Sequence, residues 1–411
     1  MIFTLIFLSH LLHTELVSVY VVHRHGDRYP LMQIEGVPDS KLLGQLTERG
    51  YQRMENIGTQ LRKRYIDTGF LKEKFEYKTF YFYSSPSERV KTSAFSLANG
   101  LFPPGTGPVF KDDLPIFPNR TQPIPLTSVI DESRDFSVLS VINCPRSIDI
   151  VQKYQKGSSL RKYYQSKHRT LGRLKDQTRH QEVSGYDYAY LTDALLILDR
   201  ENLTKPASVT GSDLKEYKSI YDHLSLEYHR VDNPAFCNAT TGLFMRRILL
   251  DINSTMHSGS PKYKFSLFAG HDVTINSIFG CIGLPRTQNP PPGSYVIIEL
   301  HRENEKYYLE FSSDLDPSID GPANITSFTP YSCPASPKKC EVASFWTPWK
   351  HIMAKTENQW FYDECGFDTK TYHLTYLIAA TLLAVLFVAI MIWIIVMISR
   401  LVKVSSTPHV V

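Results

Sequence analysis

Residues 17–22 read Val-Ser-Val-Tyr-Val-Val. Side chains of a strand alternate between its two faces, so this β-branched and aromatic run is apolar on both. Such a strand is satisfied only inside a sheet covered on both sides, which is the habit of parallel sheets in α/β folds. The run ends abruptly in His23, Arg24, His25, Gly26, Asp27 and Arg28. Charge crowded at the end of a buried strand needs a reason, and the rest of the chain supplies one.

Helix-like and strand-like segments follow in alternation. In LTERGYQRMENIGTQLRKRYI, residues Met54, Ile57, Gly58, Leu61 and Tyr65 recur at helical spacing, and Thr47 stands where an N-cap belongs. KTFYFYSS reads as a second strand and ERVKTSAFSLANGLF as a second helix. Later, KFSLFAG is a strand, HDVTINSIFGCIGL opens a helix, and SYVIIELHR is a further strand. The pattern predicts an α/β fold with a mainly parallel central sheet flanked by helices. Between about 146 and 240 it changes: DYAYLTDALLIL and SDLKEYKSIYDHLSLEYHRV are helix-like with no convincing strand. We read an all-helical cap inserted into the core. The expected layout is a leader over 1–14, α/β core over 15–145 and 241–310, cap over 146–240, and a disulfide-stapled tail over 311–373. A transmembrane helix over 374–399 and a cytosolic tail over 400–411 complete it.

Two apolar stretches set the location. MIFTLIFLSHLL is too short to span a bilayer and fits the apolar part of a signal peptide, although it lacks a basic start; a buried first strand is the alternative. Cleavage near His13 to Leu16 leaves LVSVYVV intact. LIAATLLAVLFVAIMIWIIVMIS carries no charge and is long enough to cross the hydrocarbon core. Arg400 and Lys403 follow it while Asp363, Glu364 and Asp368 precede it, which orients the large domain to the lumenal or extracellular side. The sequons at Asn119, Asn202, Asn238, Asn253 and Asn324 agree with that side. So do six cysteines, none in the spacing of a zinc site. A net charge of +4 over 411 residues, with no nucleic-acid motif, gives no reason to expect a nucleic-acid partner.

In a parallel α/β sheet, ligands bind beyond the carboxyl ends of the strands. Three segments place charge at such an end: Arg24 to Arg28 after the first strand, Arg89 after YFYSSPSE, and His271 with Asp272 after FSLFAG. If these strands are neighbours, the charges converge. Guanidiniums then offer planar donors matched to a tetrahedral oxyanion. They also hold a nearby imidazole neutral, since like charge disfavours protonation. Gly26 allows close backbone approach. A neutral histidine among arginines is a nucleophile for phosphorus, and Asp272 is placed to protonate a leaving oxygen.

RHGDRYP resembles the RHGxRxP signature of the histidine acid phosphatases, and the distant GHD resembles their second signature. GQLTERGYQRMENIGTQLRKRY, SSPSERVKTSAFSLANGLFPP and NCPR are similar to that family in the same order, and the C-terminal span resembles its membrane-anchored lysosomal and testicular types. The resemblance implies the phosphoglycerate mutase-like fold and an acid phosphatase that hydrolyses phosphate monoesters through a phosphohistidine, at acidic pH, with no metal and no cofactor. It implies His25 as nucleophile, Asp272 as proton donor, and Arg24, Arg28, Arg89 and His271 as phosphate-binding residues. It also implies a homodimer and disulfides Cys144–Cys365 and Cys333–Cys340. Cys237 and Cys281 match no bridge of the relatives; they pair with each other, or Cys281 is a buried thiol.

Some features stand apart from the pattern. His23 sits where an apolar or aromatic residue is usual in the relatives, and His23 with His25 would form a metal pair only with a third ligand, which the sequence does not suggest. The tail SRLVKVSSTPHVV has no tyrosine or dileucine sorting signal, so the expected location is a single-pass membrane of the secretory pathway, at the cell surface or the lysosome. Other readings are a mutase with the same histidine chemistry, a phytase or other inositol-polyphosphate phosphatase served by the Lys/Arg-rich stretch 153–181, and a non-catalytic receptor on a phosphatase scaffold.

Overall fold

The computed structural model describes residues 14–183, 185, 187–227, 229, 233–334, 339–367 and 369–405. The expected leader, 1–14, lies almost wholly outside the described residues, as does the end of the 400–411 tail.

One sheet organises the domain. Its strands are β1 (Glu15–Arg24), β2 (Phe80–Ser84), β3 (Phe265–Gly270), β4 (Tyr295–Glu303), β5 (Lys306–Asp314), β6 (Thr326–Phe328) and β7 (Cys340–Glu341). They lie in the order β2-β3-β1-β4-β5-β6, with β7 also on β5. The fold is α/β, as the alternation predicts, but the sheet is mixed rather than mainly parallel. Only β2, β3 and β1 run parallel; β4 lies antiparallel to β1 and starts a run of antiparallel pairs. The cause is the loop 282–294, which returns the chain to the carboxyl end of β1 before β4 begins opposite His23.

The helices are α1 (Glu48–Tyr65), α2 (Glu88–Leu101), α3 (Ser140–Asn143), α4 (Pro145–Lys156), α5 (Ser158–Ser166), α6 (His168–Thr178), α7 (Asp187–Arg200) and α8 (Gly211–Leu226). They continue with α9 (Pro234–Thr240), α10 (Gly242–Ser258), α11 (Asp272–Cys281), α12 (Val342–Trp346), α13 (Lys350–Met353), α14 (Glu357–Asp363) and α15 (Thr369–Ser405). β1 is buried on both faces. Val19 and Val21 pack with Met54, Ile57 and Leu61 of α1 and Leu97 and Leu101 of α2. Tyr20 and Val22 pack with Phe244 and Ile248 of α10 and Ile275 of α11. Thr47 caps α1, its hydroxyl accepting from the Gly50 N–H at 3.1 Å. The segment 146–240 is helical throughout its regular structure, and α7 and α8 build a small apolar core of their own around Leu191, Leu195, Leu198 and Tyr217.

The expected boundary at 311 falls inside β5, and the segment after it is not a separate tail. Trp349, Ile352 and Trp360 enter the main core, and the Trp360 indole donates to the Asn238 carbonyl at 2.9 Å. Composition hid this, because the proline and cysteine content reads as loop while a few large side chains carry the packing. Cys144–Cys365 joins positions 221 residues apart, Cys237–Cys281 joins α9 to the end of α11, and Cys333–Cys340 closes a short loop. Asn119, Asn202 and Asn324 are exposed, whereas Asn238 and Asn253 are half-buried and the Asn238 amide donates to Glu364 at 3.0 Å. Among the described residues one helix is long and apolar enough to cross a bilayer, over Leu377–Ile398, and none of that stretch is buried against the rest of the chain.

Glu299 of β4 anchors α1 to the sheet. Its carboxylate accepts from Arg64 at 3.1 and 3.0 Å and from the Tyr65 hydroxyl at 2.7 Å. Burial alone would raise this carboxyl, but His301, Arg64 and Tyr65 pull it from 4.5 down to about 2. A depressed carboxyl stabilises the fold above its unfolded value and loses that contribution as pH falls through its folded value. Replacing Glu299 with Gln is therefore expected to lower Tm at pH 7. The gap between the two proteins should narrow as pH falls from 4.5 toward 2, as followed by thermal melts across that window.

Candidate active site

The three parallel strands end side by side. Arg24 pairs with Gly270 across β1 and β3, and Ser84 with Ala269 across β2 and β3. The residues that follow each strand therefore meet at one edge: His25 after β1, Ser85 and Arg89 after β2, His271 and Asp272 after β3. Helices α2 and α11 also begin there, so their N-terminal N–H groups face the same space, a favourable place for an anion. Of the six residues expected to form the site, five line one cavity of about 190 Å³: His25, Arg28, Arg89, His271 and Asp272. The sixth, Arg24, lies directly behind it, with its guanidinium 3.2 Å from Asp272 Oδ2.

His25 is buried, and its Nδ1 lies 2.8 Å from the Gly26 carbonyl oxygen. A carbonyl only accepts, so Nδ1 carries the proton and Nε2 keeps its lone pair. Burial first, then Arg24, Arg89 and Arg28, push this imidazole well below its ordinary value, so it is neutral in acid. His271 is fixed in the other sense. Arg89 donates to its Nδ1 at 3.5 Å, so Nε2–H donates to the Ser85 hydroxyl at 3.0 Å. Burial and Arg89 bring His271 down to about 3. The two rings meet edge to face, 5.7 Å between centroids.

The arginines differ in how far they are compensated. Arg24 pairs with Asp272 and donates to the Pro290 carbonyl. Arg28 donates to Asp193 of α7 at 2.9 Å. Arg89 has no carboxylate within ion-pair distance among the described residues, and burial with the nearby Arg28 lowers it to about 10. Burial would raise Asp272, but Arg24, the Asn289 amide and Arg28 together hold its carboxyl well below the ordinary range. Asn289 donates to Asp272 Oδ2 at 3.1 Å and to the Tyr221 hydroxyl at 2.9 Å.

Asp27 takes no part in the cavity. It is buried beneath it, 2.5 Å from Arg53 Nε, with Arg49 and Arg200 at 3.7 and 3.9 Å. That cluster holds the loop carrying His25 against α1. The loop packs closely: a Cβ on Gly26 would lie 2.6 Å from the Gly50 carbonyl oxygen, and one on Gly50 would lie 2.1 Å from the Asp27 carbonyl oxygen. The Gly26 N–H donates to the Ser93 hydroxyl of α2 at 3.0 Å.

His23 points away from the cavity's chemistry. Its Nδ1 donates to the Arg24 carbonyl at 2.9 Å, and burial lowers it to about 4. Elsewhere, Glu299, His301 and Glu310 bring one ligand atom each within 4.8 Å of one another. Both Glu299 oxygens are already engaged by Arg64 and Tyr65. Sequence reasoning missed Asn289, Tyr221, Asp193 and Ser85. Ser85 lies in the SSPSE stretch; Asn289, in RTQNPPPG, gave no signal at all.

Residues 40–314 match the family described as histidine phosphatase superfamily (branch 2). Arg24 to Arg28 precede that stretch, and it is the strand register that joins them to the rest. The chain is 26% identical to human (Homo sapiens) prostatic acid phosphatase over 305 residues, covering 72% of this chain and 76% of that one. It is 23% identical to lysosomal acid phosphatase of Xenopus laevis over 300 residues, covering 71% and 67%. Among solved structures, a phytase of Klebsiella superposes with a TM-score of 0.60 at 17% identity, covering 84% of this chain and 98% of that one, a likeness of fold.

Replacing Gly50 with Ala forces α1 and the Asp27 loop apart. Overpacking of this kind costs about 1–3 kcal/mol. A lowered Tm is expected together with a loss of phosphatase kcat/KM, since His25 rides on the displaced loop. A thermal melt and an ester assay on the same sample check both.

Proposed function

Because this chain belongs to the histidine phosphatase superfamily (branch 2), we propose that it hydrolyses phosphate monoesters by transfer of the phosphoryl group to His25 and then to water. It is an acid phosphatase, as are the relatives it resembles. The observation that carries the residue assignment is the tautomer of His25. A buried, neutral imidazole, its Nδ1–H tied to a carbonyl, presents an Nε2 lone pair among three guanidiniums.

The steps follow from that arrangement. Arg24, Arg28 and Arg89 hold the phosphate; His271, whose Nε2–H is engaged by Ser85 and whose Nδ1 accepts from Arg89, positions Arg89 rather than donating to the phosphate itself. Nε2 of His25 attacks phosphorus, the P–O bond to the alcohol breaks, and Asp272 gives its proton to the leaving oxygen. Water then attacks the phosphohistidine and returns a proton to Asp272. The P–N bond breaks and inorganic phosphate leaves. The guanidiniums stabilise the charge on the transferring group, so no step is routed through a metal.

The depressed Asp272 carboxyl raises a question, since an ionised group donates nothing. The proton arrives with the substrate. A phosphate monoester loses its second proton near pH 6. Its monoanion can pass that proton to Asp272 on binding, leaving the dianion against the arginines and a neutral acid beside the ester oxygen. The dianion offsets the charge of Arg24 and Arg28, which is what had held Asp272 ionised.

A secretory-pathway protein fits the three disulfides and the lysosomal relative. Within that setting our reading is a single-pass membrane protein of the cell surface or lysosome. Its domain is lumenal or extracellular, glycosylated at the exposed Asn119, Asn202 and Asn324, and anchored by α15. A homodimer, as the resemblance implies, belongs to the same reading.

Replacing His25 with Ala should abolish turnover, because no atom remains to accept the phosphoryl group; retained hydrolysis would overturn the mechanism and favour a direct attack by water. Asp272→Asn should cost about 10²–10⁴-fold on alkyl esters, whose leaving groups need a proton, and far less on 4-nitrophenyl phosphate. For the wild type, kcat/KM should fall tenfold per pH unit above about pH 6, following the second ionisation of the ester. That limb should shift when an ester of different second pKa is used, and excess chelator should leave the rate unchanged.

A further inference from the structure

The catalytic cavity is cationic only where phosphate binds. Beyond the phosphate-binding residues and Asp272, its wall includes Leu31, Leu139, Ile142, Ala189 and Tyr190. Leu31, Ile142 and Tyr190 are 41%, 51% and 46% exposed. Large apolar side chains gathered at the mouth of a pocket, rather than scattered singly, mark a contact surface. They come from three separate places: the loop after β1, α3 and α7.

The charges on that wall have one sign. Glu132 and Asp193 line the cavity, and both are acidic; Asp193 already holds Arg28. Beyond Arg28 and Arg89, no lysine or arginine lines it among the described residues. The basic stretch 153–181 does not reach it. Lys153 pairs with Asp149, Arg173 with Asp213 and Glu216, and Arg179 with Glu35. At about 190 Å³ the cavity has room for a phosphate and the first atoms of its alcohol, so the remainder lies along the apolar rim.

Resting on the phosphatase reading, we infer that the substrate is a monophosphate ester of an apolar, uncharged alcohol. Leu31, Ile142 and Tyr190 receive the alcohol, and Glu132 repels any second phosphate. A polyphosphorylated ring would place further dianions beside Glu132 with no cation to meet them, an unfavourable arrangement in a half-enclosed site.

The test uses the full chain in detergent and esters of primary alcohols, so that leaving-group chemistry is constant: hexyl phosphate, 2-phenylethyl phosphate and glycerol 3-phosphate. Inositol hexakisphosphate is added as the polyphosphate. Each buried methylene is worth roughly fourfold. A partly open rim should therefore favour hexyl or 2-phenylethyl phosphate over glycerol 3-phosphate by about tenfold in kcat/KM. The larger of the two rates tells aliphatic burial from stacking on Tyr190. Equal rates, a preference for glycerol 3-phosphate, or hexakisphosphate as the best substrate would each overturn the inference while leaving the phosphatase reading intact. The double variant Ile142→Ala/Tyr190→Ala removes exposed side chains and should bring the hexyl to glycerol ratio close to one; an unchanged ratio would overturn the assignment of the rim. Glu132→Lys should raise hexakisphosphate turnover relative to hexyl phosphate, and no change would sink the electrostatic half. Folded wild type that cleaves none of the esters would overturn the phosphatase reading itself, and this inference with it.

Discussion

The structure turns on how a cluster of buried guanidiniums is kept charged. Arg24 and Arg28 are buried, and each is held by one carboxylate, Asp272 and Asp193. Two compensated cations and a third, Arg89, with no carboxylate at ion-pair distance among the described residues, leave the phosphate end of the cleft positive. Complete neutralisation would leave phosphate nothing to gain. No neutralisation would make the fold carry the full desolvation of three ions. The intermediate state is what leaves the His25 imidazole unprotonated in acid, because the residual positive field and burial both oppose its protonation.

That balance is positional, and the sheet sets the positions. β3 lies between β2 and β1 with their ends in register, so three short post-strand segments, far apart in sequence, open onto one space. The loop bearing His25 is then pinned from below. Asp27 draws in Arg53, Arg49 and Arg200, while Gly26 and Gly50 let α1 come within backbone contact. The return loop before β4 closes the remaining side, delivering Asn289 to Asp272 and the Pro290 carbonyl to Arg24. Thus the antiparallel half of the sheet is not decoration on a parallel core. Its first connection completes the site.

Much of this was legible because the signals were strong and local. β1 shows both-face burial in its bare sequence, α1 shows its apolar stripe and cap, and the charged residues stand directly after strands. What escaped has a common physical cause. β5 ends in Ser312, Ser313 and Asp314, polar residues in buried positions, and β6 and β7 are three and two residues long, too short for periodicity to register. The packing of 342–365 rests on isolated large side chains such as Trp360, which composition averages away. Asn289, Tyr221 and Asp193 act through distances that only tertiary structure creates. None lies beside a motif, and each is of a residue type common on ordinary surfaces.

The cap ties phosphate capture to the choice of alcohol. Asp193, which orients Arg28, and Tyr190, on the rim, are three residues apart on α7, and so share one side of that helix. Tyr221, one turn before Ser225 on α8, supplies the hydroxyl that meets Asn289 beside Asp272. A shift of α7 and α8 therefore cannot alter the rim without also altering the charge on Arg28 and the hydrogen bonds around Asp272. Specificity in this architecture is not a property of a detachable lid. It is coupled through two short contacts, Arg28 to Asp193 and Asn289 to Tyr221, to the same charge balance that keeps His25 neutral.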